Sequence, residues 1–158
     1  MDTTAKRTLD MAGYVTQPMP NVVTHVGLCV TDLERARRFY TEALGFTFER
    51  DLKPDDNLTG QLLGIETPVR LTAVYLTLGD FTLELLHYDR PGNPSFRERV
   101  MNEPGLTHLS ITSDDLPGIL ERVPGLGGEV IEASNLGMAV MVRDPDGQLV
   151  EILARRTA

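Results

Sequence analysis

Two histidines and two glutamates stand inside segments that are otherwise apolar: His25 in VVTHVGLCV, Glu84 in FTLELLHY, His108 in LTHLSIT and Glu151 in QLVEIL. Burying a carboxylate without a partner is costly, so two such glutamates demand an explanation. Each residue alone has an ordinary reading, as a satisfied strand histidine or a glutamate facing water. Together, two imidazoles and two carboxylates form a mixed nitrogen and oxygen donor set. Such a set suits one divalent ion, Zn, Ni, Co, Mn or Fe(II), with coordination places left for water or substrate oxygens. Affinity order alone does not choose among these metals.

The elements around the four residues repeat. VVTHVGLCV reads as a strand ending at Asp32, which can cap the helix over DLERARRFYTEALG, where apolar residues recur at helical spacing before Gly45. FTFER alternates as a short strand. Residues 51–70, polar with two prolines and two glycines, read as a loop or irregular insertion. RLTAVYLTL, the turn Gly79-Asp80 and FTLELLHY make a hairpin. After the linker DRPGNPSFRERVMNEPG the order returns. LTHLSIT is a strand, Asp114 or Asp115 caps a helix kept short by Pro117 and Gly118, and GEVIEA, GMAVMVR and QLVEIL are strands, the last two joined by the turn DPDG. The histidines belong to the first strands and the glutamates to the last. The fold class expected is therefore α+β, two β-α-β-β-β modules whose twofold-like repeat can bring all four residues together on one concave sheet face. The domain spans 22–154, with modules at about 22–88 and 105–154, an arm or strap at 1–21 and a tail at 155–158.

Length and composition fit one globular domain: 158 residues, 41% hydrophobic, 24% charged. A formal net charge of −8 with scattered arginines leaves no basic stripe for nucleic acid. No apolar run approaches the roughly 20 residues needed to cross a bilayer, and residues 1–20 lack the apolar core of a signal peptide, so no membrane association and a cytoplasmic location are expected. The single cysteine, Cys29, lies in an apolar run and reads as a buried, inert thiol. His87 falls on the face opposite Glu84 by alternation. Arg90, Arg97 and Arg143 read as surface arginines, with contact to an anionic substrate as the alternative.

The stretches VVTHVGLCVTDLERARRFYTEALGF, LELLHY, LTHLSITSDDL and DPDGQLVEIL resemble the vicinal-oxygen-chelate superfamily of glyoxalase I, methylmalonyl-CoA epimerase, extradiol dioxygenases and antibiotic-resistance proteins, over about residues 22–154. The resemblance implies that the two modules form a cupped mixed sheet around a metal site, that His25, Glu84, His108 and Glu151 take the four ligand places, and that the chain pairs as a homodimer. It leaves open whether the ligands come from one chain or two. Fold does not fix the reaction. Oxygen-activating members typically use two histidines and one carboxylate, and Glu84 adds a fourth ligand, which favours redox-neutral chemistry. The activity implied is that of a divalent-metal-dependent isomerase or epimerase acting on a small substrate, acyl-CoA-like or derived from a sugar or polyketide. A proton α to a metal-held carbonyl would be taken by Glu151, with Glu84 as second choice. Alternatives are a glyoxalase I-like lyase, an extradiol-type dioxygenase and a non-catalytic small-molecule binding protein. Where bacterial glyoxalase I usually carries an Arg and an Asn for glutathione, this chain has Cys29 and Tyr88, whereas ELLHYDRPGNPSFRERVMNEPGLTHLSI is similar to the epimerase pattern. The epimerases differ in turn, with a second acidic group on the strand where this chain has LTAVYL.

Overall fold

A computed structural model describes residues 8–9, 15–16, 21–91 and 101–156. Within the stretch read as an arm, Thr8–Leu9 (β1) pairs antiparallel with Val15–Thr16 (β2). The rest is two modules of matching order. The first runs β3 (Val26–Cys29), α1 (Leu33–Arg38), β4 (Thr47–Leu52), α2 (Asp56–Leu63), β5 (Leu71–Leu78) and β6 (Phe81–Tyr88). The second runs β7 (His108–Ser113), α3 (Leu116–Gly125), β8 (Glu129–Val130), β9 (Ala139–Arg143) and β10 (Leu149–Ala154). Each module builds a four-stranded mixed sheet, ordered β3-β6-β5-β4 and β7-β10-β9-β8. In both, the first strand lies parallel to the last and forms the sheet edge.

The capping signals act as the sequence predicts. The Asp32 carboxylate accepts from the Arg35 N–H, and that of Asp115 from the Gly118 N–H. Between α1 and Gly45 the chain widens into a π-helical turn, Phe39–Ala43, which buries the adjacent Phe39 and Tyr40 completely. Three expectations need correction. The helix expected to be short runs ten residues, because Pro117 sits in the first turn, where no N–H is required. The segment GEVIEA contributes a strand of only two residues before a 3-10 turn at Glu132–Ser134. The insertion 51–70 contains α2, capped by Asp55 and closed by a left-handed Gly64. Its Leu58 and Leu62 face solvent, so it lacks the apolar stripe by which a helix is recognised.

One core runs through both modules, joining Phe39, Tyr40, Leu76, Leu83 and Leu85 to Val123, Val140, Val142, Val150 and Ile152. The DPDG turn fastens them together. Buried Asp144 accepts from the Tyr40 hydroxyl at 3.0 Å and from the N–H groups of Asp146 and Gln148 at 2.9 and 2.8 Å. Desolvation pushes its carboxyl above the usual range. Asp146 in turn receives the Thr31 hydroxyl and Arg35. At Gly128 a Cβ would lie 2.5 Å from the Phe39 ring and 2.7 Å from the Arg143 carbonyl oxygen, so only glycine permits the helix and sheet to approach so closely.

Candidate metal centre

Strand register sets the geometry of both histidine-glutamate pairs. Glu84, in the middle of β6, stands opposite Gly27, and Glu151, in the middle of β10, stands opposite Ser110. Two residues before Gly27 is His25, and two before Ser110 is His108, so each histidine lies on its glutamate's side of the sheet. His25 falls just before β3 rather than inside it, and His108 opens β7. His25 Nε2 is 3.1 Å from Glu84 Oε2, and His108 Nε2 is 3.9 Å from Glu151 Oε2.

The histidines are aimed alike. His25 Nδ1 is 3.1 Å from the Thr24 hydroxyl, and His108 Nδ1 is 2.9 Å from that of Thr107. When Nδ1–H donates to the threonine, Nε2 offers its lone pair beside the carboxylate, the outer-shell arrangement usual for metal-binding imidazoles. Each pair therefore fits two places of a divalent ion's coordination sphere. Among the described residues no three His, Cys, Asp or Glu side chains stand together as a metal-binding group, and the His-Glu contacts fall into two pairs, one in each module. A cleft of about 320 Å³ opens between β3 and β7, lined by Val26, Gly27, Leu28, Leu106, His108 and Leu109 among others.

The surroundings of the two carboxylates differ. Glu84 is 13% exposed in its side chain, and its Oε1 accepts from the Tyr75 hydroxyl at 2.5 Å. Glu151 is 33% exposed, and its Oε2 accepts from the Ser110 hydroxyl at 2.7 Å. Tyr75 also meets the His25 ring edge-on, with centroids 5.7 Å apart, and carries the Arg50 guanidinium 3.8 Å above its own ring. The hydrogen bond to Glu84 is the chief reason the Tyr75 hydroxyl resists ionisation.

The model of the Glyoxalase/Bleomycin resistance protein/Dioxygenase superfamily matches residues 22–152. The chain belongs to this superfamily. Its members are largely enzymes that act on small molecules, often as dimers, and typically bind a divalent metal. Among solved structures, a glyoxalase family protein from Bacillus cereus superposes with a TM-score of 0.72 at 17% identity, over 88% of this chain and 98% of that one. A glyoxalase/bleomycin resistance protein/dioxygenase domain from Frankia sp. gives 0.62 at 25% identity, over 89% and 96%. The trypanothione-dependent glyoxalase I of Leishmania major gives 0.61 at 23% identity, over 85% and 87%. No curated protein matches the sequence.

Within this superfamily fold the remaining candidates find their places. Cys29 is exposed, contrary to expectation: strict alternation turns Val26 and Leu28 inward and Gly27 and Cys29 outward, which an unbroken apolar run conceals. Partial burial, then Asp146, push its thiol above the ordinary range, so it is no activated nucleophile. His87 stands opposite Thr72. Arg90 donates to the Glu66 carbonyl, and Arg143 lies 3.7 Å from Glu129. Arg97 lies outside the described residues. Sequence reasoning missed Thr24, Thr107, Ser110 and Tyr75. The signal for the threonines was present, because Thr-His recurs at the start of both modules. Finding Tyr75 needed the β5-β6 register. No helix among the described residues is long and apolar enough to cross a membrane.

Proposed function

We propose that the protein is a divalent-metal-dependent isomerase or epimerase that removes a proton α to the carbonyl of a small substrate and returns it. His25, Glu84, His108 and Glu151 are its ligands, and Glu151 is its base. The observation that carries this reading is the duplicated Thr-His-Glu arrangement. In each module a threonine hydroxyl occupies one imidazole nitrogen while the other faces a strand carboxylate. Since each half-site supplies only two donors, a complete centre joins the His25-Glu84 pair of one chain to the His108-Glu151 pair of a second copy. The edge strands β3 and β7, which pair with the glutamate-bearing strands β6 and β10, have one side free of strand partners in the sheets described.

A divalent ion held by these residues supplies Lewis-acid stabilisation of the negative charge that develops on the substrate oxygen. The chain supplies the rest. Glu151, more accessible than Glu84 and held by the short Ser110 hydroxyl, accepts the proton and hands it back. Apolar Val26, Leu28, Leu83, Leu106 and Leu109 line the cleft between β3 and β7 beside His108. Cys29 and Tyr88 near the first half-site offer no cation for an anionic thiol cosubstrate, which favours isomerisation or epimerisation over a glutathione-dependent lyase reaction.

The test is metal analysis of the purified chain and its His108→Ala variant, followed by solvent deuterium incorporation into a panel of α-substituted carbonyl compounds. Stoichiometric metal lost in the variant, with deuterium entering a substrate and no oxygen consumed, is expected. Metal retained by the variant at parental affinity, or oxygen uptake, overturns the reading.

A further inference from the structure

Pairing across the first sheet aligns one residue from each strand in a single row: Gly27 on β3, Glu84 on β6, Tyr75 on β5 and Arg50 on β4. A register shift between Phe48 and Arg50 brings Arg50 opposite Tyr75. The equivalent row of the second module is Ser110, Glu151 and Met141. The rows differ where it matters for a ligand. In the first, the Tyr75 hydroxyl, from the neighbouring strand β5, donates to Oε1 of Glu84, while Oε2 is turned to His25. On the other side of Glu84 stands Gly27, which has no side chain of its own: a Cβ there would sit 3.6 Å from that same Oε2. In the second row Met141 has no proton to donate, and Ser110 donates to Oε2, the oxygen nearest His108.

We infer that Tyr75 is a positioning residue that fixes Glu84 as a one-oxygen metal arm, while Glu151, bonded by Ser110 at the oxygen nearest His108, is the more movable carboxylate. The inference rests on the metal-centre reading above and deepens it. Tyr75 suits the role because its own freedom is small. Its ring is buried, lies edge-on to His25 and is covered by the Arg50 guanidinium. One ring thus sets the spacing of both donors in the half-site. The hydroxyl occupies the oxygen that would otherwise chelate or rotate inward, so the pair meets an ion in one arrangement. Ser110, by contrast, competes for the very oxygen that Glu151 would offer, and its hydroxyl can rotate away.

The experiment compares metal affinity, by competition with a chromogenic chelator, for the full-length parent, Tyr75→Phe and Tyr75→Gln, together with the melting temperature of each metal-free protein. Outer-shell partners of this kind are worth about 10- to 100-fold in affinity, so Tyr75→Phe should weaken binding by that factor with metal-free melting unchanged. Tyr75→Gln, which returns a donor, should recover part of the loss. Parental affinity in Tyr75→Phe overturns the assignment while leaving the metal centre standing. Equal losses in Phe and Gln variants, with both metal-free forms melting early, also overturn it and assign Tyr75 to the fold. A parent that binds no metal refutes the underlying reading instead.

Discussion

If each chain holds two half-sites rather than one whole site, two inactive variants should repair each other. The perturbation is a pair of double substitutions: His25→Ala with Glu84→Ala in one chain, and His108→Ala with Glu151→Ala in the other. Each removes one half-site and leaves the other untouched, and the pairs lie on different sheets. Alone, a homodimer of either variant has two donors at every centre and should lose stoichiometric metal. In a twofold dimer formed from both chains, one centre receives four donors and the other none. Random pairing makes about half the dimers mixed, so recovery should reach about one quarter of the parental number of centres. The assay is co-refolding of equal amounts from denaturant, then metal analysis and the deuterium-exchange rate per chain. A centre built from both halves of one chain predicts no recovery at any mixing ratio, since each chain lacks two ligands. No recovery from mixed dimers that have demonstrably formed would therefore refute the two-chain arrangement.

Glu151→Gln should lower substrate deuterium exchange by at least about 100-fold, with metal occupancy measured in the same sample. Exchange at the parental rate would pass the role of base to Glu84. Asp144→Ala should destabilise the fold strongly, because it strips the acceptor from two N–H groups and from the Tyr40 hydroxyl, at about 1–3 kcal/mol for each buried group left unsatisfied; urea unfolding reads the loss. Asp144→Asn should cost less, and its effect should depend on pH. The Asp144 carboxyl is pushed above its unfolded value by desolvation, so as pH falls the folded state takes up this proton first. The group's unfavourable contribution at neutral pH is relieved between the folded-state value and the ordinary value near 4, so the parent should gain relative to Asp144→Asn over that window. A stability difference between the two proteins that is flat from pH 7 to 4 would count against this account.

Much of this was legible in the chain because local chemistry and tertiary demand coincide. Asp32 and Asp115 cap helices that the core requires, and the repeated strand order places two histidines and two glutamates in matching positions. What was not legible depends on register or on faces. The run VGLCV looks uniformly buried, yet Cys29 points outward because a strand edge alternates whatever its composition. The helix α2 escaped because its leucines face solvent. Tyr75 is one more apolar-looking residue of LTAVYLTL until pairing sets it opposite Glu84, and Ser110 gains meaning only from standing opposite Glu151. The grouping of donors belongs to the same class of fact. Sequence symmetry indicates that His25 corresponds to His108 and Glu84 to Glu151, but symmetric positions meet each other only if the symmetry axis passes between them. Within one chain the modules are joined by the Tyr40-Asp144 and Thr31-Asp146 hydrogen bonds, a contact between residues that carry no donor of the proposed centre. The repeat thus encodes the donors, while the packing of modules, within one chain or between two copies, decides how they are brought together.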